Sequence, residues 1–168
     1  MYVFDATPLI YLAKVGMVST IVAAREDCCT PDQVYEEVVE AGLRDGYADA
    51  RRIQLAIEDG VLRRRSVSDE ARFARLRENQ QLSDADAAVL TIAAETDGVA
   101  VMDERYDRAI ADAEGIRTHG TTYLVLTAAR DGILTSEEAR TTIDAMVQSG
   151  WYVSPALYSK IVRKIENL

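Results

Sequence analysis

Met1-Tyr2-Val3-Phe4-Asp5-Ala6-Thr7-Pro8-Leu9-Ile10 is the stretch whose reading decides the fold. Met1–Phe4 is a continuous apolar run, and continuity in place of alternation suits a strand buried on both faces of a parallel sheet. An acid follows at once. Thr7-Pro8 then predicts a helix start, with a threonine cap and proline at the first helical position. Val99-Ala100-Val101-Met102-Asp103-Glu104 repeats the order of buried strand, acid and helix.

Between and beyond these two units the chain alternates short apolar runs with amphipathic stretches, which predicts β-α-β units. The first helix passes through Leu9, Ile10 and Leu12 and pauses at Gly16, and a second runs to about Ala24. Strands are expected at Asp27–Thr30, Val61–Arg64 and Gly115–Thr118. Thr30-Pro31-Asp32-Gln33 has a capping-box pattern and predicts a helix. Further helices are expected over Tyr47–Glu58, Ser68–Gln81, Ser83–Thr96, Glu104–Ala113, Thr122–Arg130, Ser136–Gln148 and Pro155–Glu166. The fold class expected is α/β: a Rossmann-like parallel sheet of four to five strands flanked by helices, plus C-terminal helices. The expected division is a core at 1–131 and a helical extension at 132–168. Right-handed crossovers place helices on both faces, and the active crevice of such a sheet lies outside the carboxyl ends of its strands, where strand order reverses.

The 168 residues suffice for one compact domain with a real core, and 48% apolar against 28% charged residues is ordinary for a folded chain. No run of 18 uninterrupted apolar residues occurs, so no membrane span is expected. The N-terminal stretch lacks a basic region and meets an acid early, unlike a secretory leader, so a cytoplasmic protein is expected. Cys28 and Cys29 are adjacent and staple nothing together; they read as small buried hydrophobes. A net charge of −9, with only three lysines against sixteen arginines, is unusual for a protein that meets nucleic acid. It fits a halophile's surface, kept solvated in salt that shrinks the Debye length to about 3 Å.

Position must select among 28 acids. Asp5 and Asp103 each follow a buried strand and project at its carboxyl edge, although either could simply cap the next helix. At about 100° per residue, Glu37 falls between Val34, Val38 and Ala41 on an apolar stripe, whereas Glu36 points away. A carboxylate turned toward a core must pair with an arginine or ligate a cation. Asp86 shares a face with Leu90 and Ala93 while Asp84 does not, and Asp86 could also complete a capping box with Ser83. Four carboxylates meeting at one rim would repel unless a cation neutralised them. Oxygen-only ligation points to Mg²⁺ or Mn²⁺, since zinc's usual cysteine and histidine ligands are missing. The chemistry implied is phosphodiester hydrolysis.

Asp5-Ala6-Thr7-Pro8-Leu9-Ile10, Thr30-Pro31 with Glu36-Glu37, Ser83–Ala87 and Met102-Asp103-Glu104-Arg105, in that order and spacing, resemble the PIN-domain superfamily over about residues 1–130. Gly150-Trp151-Tyr152-Val153-Ser154 with Leu157-Tyr158 is similar to a prokaryotic branch carrying a C-terminal helical extension. The resemblance implies a Mg²⁺ or Mn²⁺ site, endoribonuclease activity on RNA and, as in VapC-type toxins, an antitoxin partner and a homodimer. On the matching positions Asp5, Glu37, Asp86 and Asp103 would be the catalytic and metal-binding acids, and Thr7 would help position water or phosphate. Asp84 leaves the third ligand ambiguous. Asp107, one turn past Asp103, is either an extra ligand or, as favoured here, a surface acid.

Arg105 and Arg108 could grip phosphates, though ion pairs with neighbouring acids are the expectation. His119 is expected in a loop, Arg63-Arg64-Arg65 on a solvated face, and the stripe Leu157, Tyr158, Ile161, Ile165 on the chain's own core. A dehalogenase-type phosphatase would need an acid where Thr7 stands, and a receiver domain would need one after Val61–Arg65. No phosphate-cradling or dinucleotide glycine motif occurs. The rival from another class is a catalytically silent PIN-like module that binds RNA or a partner protein.

Overall fold

Buried runs too short for helices form the three inner strands, short polar runs form the two edge strands, and the amphipathic stretches between them form the crossovers. The computed structural model describes residues 1–168. In chain order the elements are β1 (Tyr2–Phe4), α1 (Ala6–Lys14), α2 (Val18–Ala23), β2 (Cys28–Pro31) and α3 (Asp32–Tyr35). A π-helical segment at Glu36–Ala41, α4 (Gly42–Arg44), α5 (Ala48–Glu58), β3 (Arg63–Arg65), α6 (Glu70–Arg77) and α7 (Asp84–Glu95) follow. Then come β4 (Val99–Val101), α8 (Arg105–Ala113), β5 (Arg117–His119), α9 (Thr121–Arg130), α10 (Ser136–Gln148) and α11 (Pro155–Glu166).

All four strand pairings are parallel, in the order β3-β2-β1-β4-β5. Strand order therefore reverses between β1 and β4, where Phe4 lies opposite Val101 and the Asp5 amide donates to the Val101 carbonyl at 3.0 Å. Val3, Phe4, Val101 and Met102 are fully buried, as a sheet covered on both faces requires. Helix α7 packs against β1, β2 and β4, and its buried alanines, Ala87 and Ala88 among them, let the helix approach the sheet closely. Helix α5 packs against α1 and α2. The edge strand β3 consists of three arginines. Arg63 pairs with Asp27 and Arg64 with Asp32, a charged edge that discourages further strand addition.

The C-terminal helices do not stand apart. α10 and α11 pack on each other and on α9, and Ile143, Met146, Trp151, Ile161 and Ile165 belong to the same apolar cluster as Val3 and Phe4. No helix is long and apolar enough to cross a membrane.

Three local expectations are corrected. Helix α1 is capped by Asp5, not Thr7: the extended Asp5 backbone lets its Oδ1 accept from the Ala6 amide at 2.7 Å. Pro8 then falls in the first turn, where a missing amide costs nothing. Thr30 caps no helix either. It stays in β2, fully buried, and its hydroxyl donates to the Phe4 carbonyl at 3.0 Å. His119 ends β5, not a loop, with its ring stacked on Tyr123 at 3.6 Å.

Gly98 lies against β1 just before β4. A Cβ there would come within 2.8 Å of the Met1 carbonyl oxygen and 2.7 Å of the Thr96 hydroxyl. The first neighbour is backbone of the central strand and cannot swing aside. Gly98→Ala is expected to lower the urea midpoint by an amount equivalent to about 1–3 kcal/mol, the usual cost of overpacking. An unchanged midpoint would show that β1 yields.

Candidate metal centre

Two acids come to the crevice from strand ends and two from helices. Asp5 leaves the carboxyl end of β1 and is 3% exposed, a depth at which a lone carboxylate is costly. Asp86 sits in the first turn of α7, where the Ser83 hydroxyl accepts from its amide and its own Oδ2 accepts from the Ser83 amide at 2.8 Å. That capping box fixes the carboxylate and leaves it free to face inward. Asp107, in the first turn of α8, is 5% exposed. Carboxylate oxygens of Asp5, Asp86 and Asp107 lie within 4.8 Å of one another. None of the three is ion-paired with an arginine or lysine.

The surface expectation for Asp107 is thus corrected. Its burial was legible: Asp107, Ile110 and Ala111 stand at i, i+3 and i+4 on the inward face of α8. Glu37 lies beside this group but is exposed, not turned into the core. Glu36–Ala41 is wound as a π-helix with i→i+5 bonding, so a rotation of 100° per residue does not apply there. Val38 and Val39 take the buried positions instead. Asp84 points outward and pairs with Arg77 at 2.7 Å.

Asp103 is placed differently. The Thr121 amide donates to Oδ1 at 2.7 Å, the Thr121 hydroxyl to Oδ2 at 2.8 Å, and the Trp151 indole N–H to Oδ2 at 3.1 Å. It clasps the start of α9 and the approach to α11. With Thr7, Glu104 and Arg105 it also lines a cleft of about 420 Å³.

A family model described as PIN domain matches residues 1–167. The chain belongs to the PIN-domain family. No curated protein and no solved structure matches it. The match extends through α10 and α11, in keeping with their share in the common core of this PIN domain.

Electrostatics sets a clear condition on the PIN-domain acids. Burial first, and then the Asp86 charge, pushes the Asp5 carboxyl up to about 8. The same two causes, in the same order, raise Asp107 to about 7. Glu37 is also shifted upward, by partial desolvation and then by Asp86. A raised carboxyl holds its proton in the folded state at a pH where the unfolded chain has released it. The stability this supplies is complete below about pH 4 and is lost as pH rises through about 7 to 8. The residues therefore suit a hard divalent cation, which would replace those protons with oxygen ligation. In EDTA the melting temperature should fall between pH 5.5 and 8 by on the order of 5 °C. Asp5→Asn, which keeps the cap oxygen, should remove most of that slope. A flat wild-type profile would show that the three carboxylates do not share protons.

Proposed function

We propose that this PIN domain is a Mg²⁺- or Mn²⁺-dependent endoribonuclease that hydrolyses RNA phosphodiester bonds at the β1–β4 crevice. The observation that carries the reading is the trio of buried Asp5, half-buried Asp86 and buried Asp107, close enough to repel and matched by no basic side chain. PIN domains are generally nucleases, which agrees with that chemistry.

In this reading Asp5, Asp86 and Asp107 hold the cation, and Glu37 completes the set from the open side. When bound, the cation would offset charge developing on the phosphate and make water a better nucleophile. Asp5 is oriented for its part by the Ala6 amide, and Asp86 by Ser83. Arg105 and Thr7 line one cleft, and in this reading they would hold non-bridging phosphate oxygens, the arginine through paired N–H donors. Asp103 acts as a positioning residue: three donors fix its carboxylate, and it in turn holds the cleft wall formed by Trp151.

Incubation with mixed RNA and Mn²⁺ tests the proposal. Cleavage should appear, disappear in EDTA, and fall at least 100-fold in Asp5→Asn and Asp107→Asn, since removing one preorganised charge in a catalytic site commonly costs about 10²–10³. Cutting that survives EDTA would defeat the metal chemistry. A calorimetric titration with no Mn²⁺ binding would favour the silent module. Full activity in Asp107→Asn together with loss in Asp103→Asn would return Asp103 to the ligand set.

A further inference from the structure

Asp32–Arg44 is one continuous helix whose middle is wound differently from its ends. α3 and α4 are α-helical, and the six residues Glu36–Ala41 between them are π-helical. A π turn takes in one residue more than an α turn, and such turns are rare and recur at functional sites. Both ends of this helix are held. α3 follows directly on β2, and α4 lies so close to α5 that a Cβ on Gly42 would come within 2.7 Å of the Ala50 Cβ. The middle is where the helix can yield. Moving the extra residue along the segment turns the residues it passes about the helix axis while the ends stay in place.

One arginine grips the outward face of that helix. Arg64 of β3 pairs with Asp32, approaches Glu36 at 3.8 Å and Glu40 at 4.0 Å, and lies over the Tyr35 ring at 4.3 Å. Asp32, Glu36 and Glu40 stand at i, i+4 and i+8, so a single guanidinium spans from the helix start into the π segment. Glu37, the next residue after Glu36, forms no ion pair. It lines a cleft of about 310 Å³ with Val38 and Ala41, and it is near enough to Asp86 to feel that charge. It is nonetheless outside the close group of Asp5, Asp86 and Asp107.

We propose that Arg64 is a positioning residue for the carboxylate site: its grip on Glu36 and Glu40 sets the π winding and holds Glu37 at the edge of the group, and Glu37 turns inward against that grip when the site is loaded. The inference rests on the divalent-cation reading of the site and adds a control on its affinity. A turn that brings Glu37 inward carries Glu36 and Glu40 away from Arg64, so the two arrangements compete. Each exposed pair is weak, so the grip tunes loading and does not block it.

The test needs no RNA. The full chain is titrated with Mg²⁺ by calorimetry, and amide hydrogen exchange is followed by mass spectrometry with and without saturating Mg²⁺. Exchange across Glu36–Ala41 should change on loading, and Glu37→Gln should remove that change while Mg²⁺ still binds the three aspartates. Arg64→Ala should bind Mg²⁺ about threefold to tenfold more tightly, the effect of releasing two exposed pairs. Glu36→Gln combined with Glu40→Gln releases the same pairs without touching β3 and should do likewise. The two changes shift the local charge in opposite directions, so a gain in both reports the released grip and not the field. In a Glu37→Gln background the gain should vanish, which an arginine of merely structural role would not show. Mg²⁺ binding with unchanged exchange at Glu36–Ala41, or a gain confined to Arg64→Ala, would overturn the positioning role alone. No binding heat from the unaltered chain would overturn the cation reading and this inference with it. The exchange response without RNA cleavage would uphold Arg64 and overturn the nuclease.

Discussion

Three carboxylates forced into contact at the reversal of strand order are the constraint around which the rest of the structure is arranged. Parallel pairing of β1 with β4 draws the ends of both strands to one rim and buries Asp5 to 3% exposure. The first turns of α7 and α8 bring Asp86 and Asp107 within 4.8 Å of it. Folding alone does not favour such a meeting. Each ionised acid loses hydration and gains a like-charged neighbour, which is why Asp5 and Asp107 are shifted upward. The surrounding structure must overcome it, and the fully packed sheet and the close alanine face of α7 supply the rigidity to do so. A site that is costly when empty gains most from a ligand that neutralises it.

The scaffold and the site were legible to different degrees, for physical reasons. The strand–acid–helix order at Asp5 and at Asp103 specified the sheet, because buried parallel strands carry an unmistakable continuous apolar run. Helices α10 and α11 matched their expected limits, since Thr135 with Glu138 and Ser154 with Pro155 are local boundary signals. Boundaries set by tertiary contact were read less well. The hydroxyl of Thr30 is claimed by the Phe4 carbonyl of the neighbouring strand, and no local pattern announces that. Glu37 was misplaced because a π-helical winding leaves no mark in a sequence scanned at one fixed period.

Asp103 and Asp107 show the limit more sharply. Both lie near the carboxyl end of β4, and only one joins the buried group. The strand-end rule favours Asp103, yet the residue at a strand end can be reached by whatever the chain folds over it. Here that is the start of α9 and the indole of Trp151, 48 positions away in sequence. Asp107 could have been selected from the spacing of Ile110 and Ala111. An acid on the apolar side of a regular α-helix needs an arginine or a cation as partner, whereas an acid at a strand end is accounted for by a cap alone.

The net charge of −9 stands against nucleic-acid binding only if charge is treated as a bulk property. At physiological ionic strength, charges more than about 8 Å apart are largely screened, so a polyanion responds to the groups it touches. Most acids of this chain lie outside the crevice, and many are matched: Asp32 with Arg64, Glu114 with Arg75, Asp131 with Arg130. What an approaching phosphate would meet is Arg105 and Arg108 without partners, and beyond them a carboxylate group that a divalent cation would convert from repulsive to attractive. The same acids that make the empty site unfavourable would thus make the loaded site hospitable to phosphate. Global charge and local function would be compatible because a bound cation would reverse the sign of the field that a phosphate meets at the carboxylate group.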